Sequence, residues 1–330
     1  MRDIGRREFI ILLTGAAITR PRAVIAQTPS KVYRVGLLSS TAPVADNSPY
    51  GAPLVRELAK YGYKQGHNLV FERRGAEGRL DRLPRLVEEL VASRVDVIVP
   101  IGYPQTLAAK QGTTVPLVAI AAGDPVATGL VKSLARPGGN LTGISDLATE
   151  LTTKRLALLK ELAPALGRVA ILWNAGDVAM TLRYRASEVA ANAMGVHVQP
   201  FGVREPDDFE QAFAAMNRER QDAILTVADS LTVVNRKRVF EFATAHRLPG
   251  MYEFNFLVRD GGLMSYSMDL DEAFGRVAAL IDRILKGAKP ADLPFEQPTR
   301  FTFAINLKTA KALGLDMPPT LLARADEVIE

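Results

Sequence analysis

Cysteine is absent from all 330 residues. That excludes a disulfide framework, a thiol nucleophile and any metal site built on thiolates. It also removes the lipid-bearing cysteine that anchors bacterial lipoproteins behind their signals, so a freely diffusing product is expected. Histidine is nearly as scarce: His67, His197 and His246 are the whole supply. Their spacing fits no metal-binding pattern, and each reads as a surface or capping residue. Neither a G-x-S-x-G elbow, a G-x-x-x-x-G-K-[ST] phosphate loop nor an H-E-x-x-H is present. No catalytic residue, metal or cofactor is therefore expected. A Ser-His-Asp set assembled from distant positions is the one enzymatic option left open.

A strong excess of one charge is lacking too. The formal charge is +5, and much of it sits at the start, where Arg2, Arg6, Arg7, Arg20 and Arg22 face only Asp3 and Glu8. The small remainder gives no reason to expect nucleic acid or a membrane surface as partner. No apolar run reaches the ~18–20 residues that a membrane span needs. The run near the N-terminus, Ile10 to Ile18, is too short, but its setting is informative. It follows the Arg6-Arg7 pair and precedes the small residues Val24 and Ala26. This is the layout of an export signal spanning residues 1–26 and cleaved near Ala26. "GRREFI" resembles a twin-arginine signal, the kind that exports proteins already folded. The expected location is the periplasm, with no membrane insertion of the mature chain.

What is present is ample apolar material, 48% of residues, in a chain long enough for two domains of ordinary size. From residue 32 onward, strand-like and helix-like stretches alternate. "YRVGLLSS", "VDVIVPIG" and "VPLVAIAAGDP" are apolar runs without polar alternation, which suits parallel strands covered on both faces. "LDRLPRLVEELVASRV" places Leu83, Leu86, Val87, Leu90 and Val91 on one helical stripe, and "PQTLAAKQ" opens a helix at Pro104. The Gly- and Pro-rich "LARPGGNLTG" (134–143) reads as a surface loop near a boundary. The rhythm then restarts. "TKRLALLKELAP" reads as a helix, "GRVAILWN" as a strand and residues 178–194 as a helix ended by Gly195. Further strands are expected at "VHVQPFGV", "DAILTVAD" and "LPGMYE", with helices at "PDDFEQAFAAMNRE" and "VVNRKRVFEFATAHR". The tail adds a strand "GGLMSYS", a helix over 271–286, the connector "PADLPFEQP" and a strand-to-helix run "TRFTFAINLKTAKALGL".

The expected fold class is α/β: two Rossmann-like lobes with parallel sheets, joined by a multi-strand hinge. Residues 32–146 with about 268–291 form the N-terminal lobe, and 147–267 with about 292–330 the C-terminal lobe. Two independent domains in tandem would produce a similar pattern.

Several stretches together resemble a family of bacterial ABC-transporter substrate-binding proteins. They are the tail "QPTRFTFAINLKTAKALGLDMPPTLLARADEVIE", "GDPVATGLVKSLARPGGNLTGIS", "HRLPGMY", "GGLMSYS" and the arginine-rich start. The resemblance implies a type I periplasmic-binding fold that closes two lobes around a small molecule. It implies delivery to an ABC permease with its ATPase, and an association with aromatic amino acids such as tryptophan and tyrosine. One stretch departs from the family. An Arg-Glu pair soon after the Tyr of the "LPxxY" segment is replaced here by Tyr252-Glu253-Phe254-Asn255-Phe256.

In open α/β sheets, ligands sit beyond the C-terminal ends of the strands. The candidates there are Ser39 and Ser40; Tyr103, Gln105 and Thr106; Gly123 and Asp124; Asn174; Asp229 and Ser230; Tyr252 and Glu253. Hydroxyls and helix-start N–H groups can hold a carboxylate, Asp229 or Glu253 an ammonium group, and Tyr103 or Tyr252 a ring. Other readings stay open. Ser39 and Ser40 suit a helix cap, and Asp124 before Pro125 suits a turn as well as a ligand. Trp173 and the Phe254/Phe256 pair suit core packing. The expected protein is thus a monomeric periplasmic receptor for a small molecule, an amino acid or aromatic carboxylate. A ligand-sensing module for a membrane sensor, or a hydrolase using the same cleft, are the alternatives. A sugar-responsive transcription regulator shares the fold class, but an export signal stands where its DNA-binding head would be.

Overall fold

Apolar runs without alternation become strands buried on both faces. In this computed structural model, which describes residues 31–330, they assemble into two sheets. The expected export signal, residues 1–26, lies outside the described residues. The first part of the chain runs β1 (Tyr33–Ser39), α1 (Gly51–Lys60), β2 (Leu69–Gly75), α2 (Leu83–Ala92), β3 (Val97–Pro100), α3 (Tyr103–Gly112), β4 (Leu117–Ile120) and β5 (Leu141–Ile144). Its five strands form a wholly parallel sheet in the order β2-β1-β3-β4-β5.

The second series is α4 (Ala148–Leu162), β6 (Arg168–Asn174), α5 (Val178–Ala193), β7 (His197–Val203), α6 (Asp208–Arg218) and β8 (Ala223–Thr226). It continues through α7 (Ser230–Val234), α8 (Arg236–Ala245), β9 (Gly250–Tyr252), α9 (Asn255–Arg259) and β10 (Met264–Met268). Then come α10 (Leu270–Leu285), β11 (Phe301–Asn306), α11 (Leu307–Leu313), α12 (Pro319–Leu322) and β12 (Glu327–Ile329). The second sheet is ordered β12-β11-β10-β9-β8-β6-β7, and only the β10–β11 pair is antiparallel. The fold is therefore α/β with parallel sheets in two sets.

The chain passes between the sheets three times. It leaves the first after β5, and returns after β10, where α10 packs on α1 and along β3, β4 and β5. It leaves again beyond a short 3-10 turn at Pro290–Asp292 to build β11. α10 begins cleanly because the Asp269 side chain accepts the Glu272 N–H at 3.1 Å. Its Phe274 is fully buried, which contributes about 2–3 kcal/mol of transfer free energy. The connections also pair with one another. Glu296 N–H donates to Gly143 O at 2.8 Å, Ser145 N–H to Glu296 O at 2.9 Å, and Asp269 N–H to Arg300 O at 2.9 Å.

One expectation changes here. The stretch 134–143 was expected as a surface loop, but its last residues enter β5, where Leu141, Thr142 and Ile144 are buried. The Thr142 hydroxyl donates to the carbonyls of Leu293 and Pro294, each at 3.0 Å, which ties the strand to the last connection. Gly143 is needed because a Cβ there would stand 2.2 Å from Ala119 O on β4.

Candidate functional site

The C-terminal strand ends of the two sheets face each other, so residues far apart in sequence touch. Ser40, after β1, is buried, and its hydroxyl bonds to that of Ser230 at the start of α7. Tyr103, opening α3, packs against the apolar cores of both sheets. Gly123 turns the chain after β4 with φ 77°, a conformation that favours glycine. A Cβ at Gly123 would lie 3.2 Å from Ala179 Cβ of α5, so small size also permits this approach. Tyr50, just before α1, sets its ring edge-on to Phe254 and Phe256 at 6.5 and 6.1 Å. Phe254 and Phe256, beyond Glu253, are thus engaged in aromatic packing.

A buried charge network lies between these contacts. Arg183 of α5 donates through Nη2 to Asp146, in the connection leaving β5, and through Nη1 to Glu253 Oε2 at 2.9 Å. Arg155 of α4 donates to Glu253 Oε1 at 3.3 Å and to Tyr266 O of β10 at 2.8 Å. All four ionic side chains are buried. Burial opposes the Arg183 charge, but Asp146 and Glu253 outweigh it and hold the guanidinium above its ordinary value. Burial wins at Arg155, whose value is lowered against the pull of Glu253. The Tyr50 hydroxyl is raised by burial, then by the charges of Glu253 and Asp146.

An acidic pair stands beside the network. Asp177 caps α5, its Oδ1 accepting the N–H groups of Ala179 at 2.8 Å and Met180 at 3.4 Å. Its carboxyl is pushed up to about 6 by burial and by the charge of Asp229. The charge of Asp177 in turn adds to burial in raising the Tyr103 hydroxyl. Asp229 caps α7: Oδ1 accepts Thr232 N–H at 2.9 Å, and Oδ2 accepts the Asn174 amide at 2.6 Å. Asn174 Oδ1 accepts Gly176 N–H at 2.8 Å.

The remaining candidates take varied places. Ser39 Oγ pairs with Thr41 Oγ1 at 3.0 Å. Gln105 Oε1 is buried without a hydrogen-bond partner, whereas the Thr106 hydroxyl donates to Gly102 O, just before its own helix, at 2.7 Å. Asp124 Oδ1 accepts the N–H groups of Val126 and Ala127 at 2.8 and 3.0 Å, the geometry of a turn cap. Tyr252 sits in the core, edge-on to Phe240 at 5.0 Å and filling the space left by Gly250 and Gly262. Trp173 stacks on Tyr184 at 3.9 Å.

Sequence reasoning did not single out Tyr50, Asp146, Arg155, Asp177 or Arg183. A signal exists for two of them. Arg183 falls in phase with buried Met180, Ser187, Ala190 and Ala191, and Arg155 with Leu151, Thr152, Leu159 and Leu162. Among the described residues, no cluster of three or more His, Asp or Glu side chains could hold a metal, and no helix is long and apolar enough to cross a membrane.

Residues 52–329 match the ABC transporter substrate binding protein family. The chain is 26% identical over 274 residues to the tyrosine-binding protein of Clostridioides difficile strain R20291, covering 83% of this chain and 78% of that one. A crystal structure of a conserved domain protein from Vibrio cholerae O1 biovar El Tor is similar, with a TM-score of 0.84 and 26% identity over 90% of this chain and all of the other. So is the structure of an ABC domain from Streptococcus pneumoniae in complex with L-Trp, with a TM-score of 0.82 and 25% identity over 91% of this chain and 100% of that one.

Proposed function

Because the chain belongs to the ABC transporter substrate binding protein family, we propose that it is the periplasmic solute receptor of an ABC importer. In this reading residues 1–26 direct export and are removed near Ala26. Residues 32–146 with about 268–291 act as one lobe, and 147–267 with about 292–330 as the other. The mature protein works as a monomer. It holds one small molecule, an amino acid or aromatic carboxylate, between the lobes. It then presents the closed shape to a permease and its ATPase.

The observation that carries this reading is the meeting of Ser40 with Ser230 across the two sheets, beside buried and oppositely charged groups. Contacts made only when the lobes meet favour the closed state, and a ligand touching both lobes shifts the population towards it. The similarity to a tyrosine-binding protein and to a domain holding L-Trp supports a ligand of amino-acid size. No bond need be made or broken for this task.

Thermal unfolding of the mature chain, with a panel of amino acids, aromatic carboxylates and sugars, tests the proposal. A true ligand at 100 times its Kd should add about 2.7 kcal/mol of stability. It should also be recovered chemically unchanged. A panel in which only sugars respond, or a ligand recovered as product, would count against it.

A further inference from the structure

Asp177 differs from the other acids of the site in having an oxygen to spare. Its Oδ1 is used by the backbone of α5, while Oδ2 has no hydrogen-bond partner among the described residues, although the residue is only 4% exposed. Asp229 spends both oxygens within its own lobe, on Thr232 and Asn174. Glu253 spends both on Arg155 and Arg183, and Asp146 is also bound to Arg183. Those last four side chains balance, two positive against two negative. The charge left over is that of Asp177 with Asp229, and it is negative.

A second acceptor is also left over. Gln105 Oε1, in a residue 1% exposed, finds no partner. It lies over Gly102 at the end of β3, where a Cβ would stand 2.9 Å from it. The free Oδ2 of Asp177 and the surplus negative charge call for the same complement, a cation with several N–H donors, such as a primary ammonium.

Resting on the receptor reading above, we propose that Asp177 anchors a positively charged group of the ligand through Oδ2, and that protons compete with that group for the same oxygen. The groups that face Asp177 are Asp229 from the start of α7, Arg183 from its own helix and Tyr103 from α3. Burial and the charge of Asp229 hold its carboxyl at about 6, while Arg183 is occupied by two other acids. At neutral pH the carboxylate is ionised and receives the cation. In mild acid it is neutral and the attraction is lost.

Calorimetry on the full mature chain tests this with matched probes. They are L-tryptophan against indole-3-propionate, L-tyrosine against 3-(4-hydroxyphenyl)propionate, and L-leucine against 4-methylpentanoate. The amino member of at least one pair should bind and its desamino partner should fail. That binding should weaken about tenfold between pH 7.5 and pH 5. The Asp177→Asn variant keeps an N-cap acceptor, so it should fold, bind at least about tenfold more weakly at pH 7.5, and lose the pH dependence. Equal binding of a desamino partner, or wild-type affinity that is flat from pH 7.5 to 5, would overturn the assignment and leave the receptor reading intact. Silence of every probe and of the wider panel would remove the receptor reading and this proposal together.

Discussion

At the scale of single residues, Asp177 ties ligand recognition to a cost in stability. Its carboxyl is raised from 3.8 to about 6 in the folded chain. The folded state therefore binds this proton more tightly than the unfolded state, and the Asp177 contribution to stability rises as pH falls from about 6 towards 4. Above pH 6 the ionised form carries the full penalty, of the order of 2–3 kcal/mol. Without ligand, Asp177→Asn should accordingly be more stable than wild type by up to that amount at pH 7.5. The gain should shrink to nothing near pH 4, as read by urea midpoints at the two pH values. An opposite hazard applies to Arg183. Replacing it by alanine leaves Asp146 and Glu253 buried with too little positive charge, which should cost about 3–5 kcal/mol. Loss of less than about 1 kcal/mol in urea unfolding would mean that the network contributes little.

At the scale of elements, the sequence shows the strands most openly where burial is complete. β1, β3, β4, β6 and β8 are short apolar runs, and each became a parallel strand. β5 was illegible because its buried residues follow a Gly- and Pro-rich stretch and include Thr142 and Gly143, whose purposes lie in distant partners. The site divides in the same way. Searching strand ends reached Asn174 and Asp229, but Asp177 stands three residues further on, and only the fold shows that it faces Asp229. Arg155 and Arg183 look in sequence like ordinary helix-surface arginines unless their helical phase is followed. For β5 a direct test is available. Gly143→Ala would force a Cβ against Ala119 O and should cost at least about 2 kcal/mol. Faster amide exchange at Leu141–Ile144 than at β1 would localise the damage, and exchange unchanged in β5 would refute it.

At the scale of the whole molecule, the receptor reading ties affinity to contacts between the two sheets. The Ser40–Ser230 hydroxyl pair is one. Ser40→Ala should leave ligand-free stability nearly unchanged, because each hydroxyl can meet water when the lobes part. It should weaken ligand binding about fivefold, the worth of roughly 1 kcal/mol. Unaltered affinity would show that the pair follows closure without favouring it.

The three passages between sheets also bear on what happens when the backbone is cut. Lys286 is exposed just beyond α10, on the way to the third passage. Trypsin cleaving there would sever one covalent connection and leave two intact. The released segment still carries β11, which is hydrogen-bonded to β10 on one side and β12 on the other. The nicked protein should therefore give two bands on a denaturing gel yet elute from a sizing column as one uncut particle.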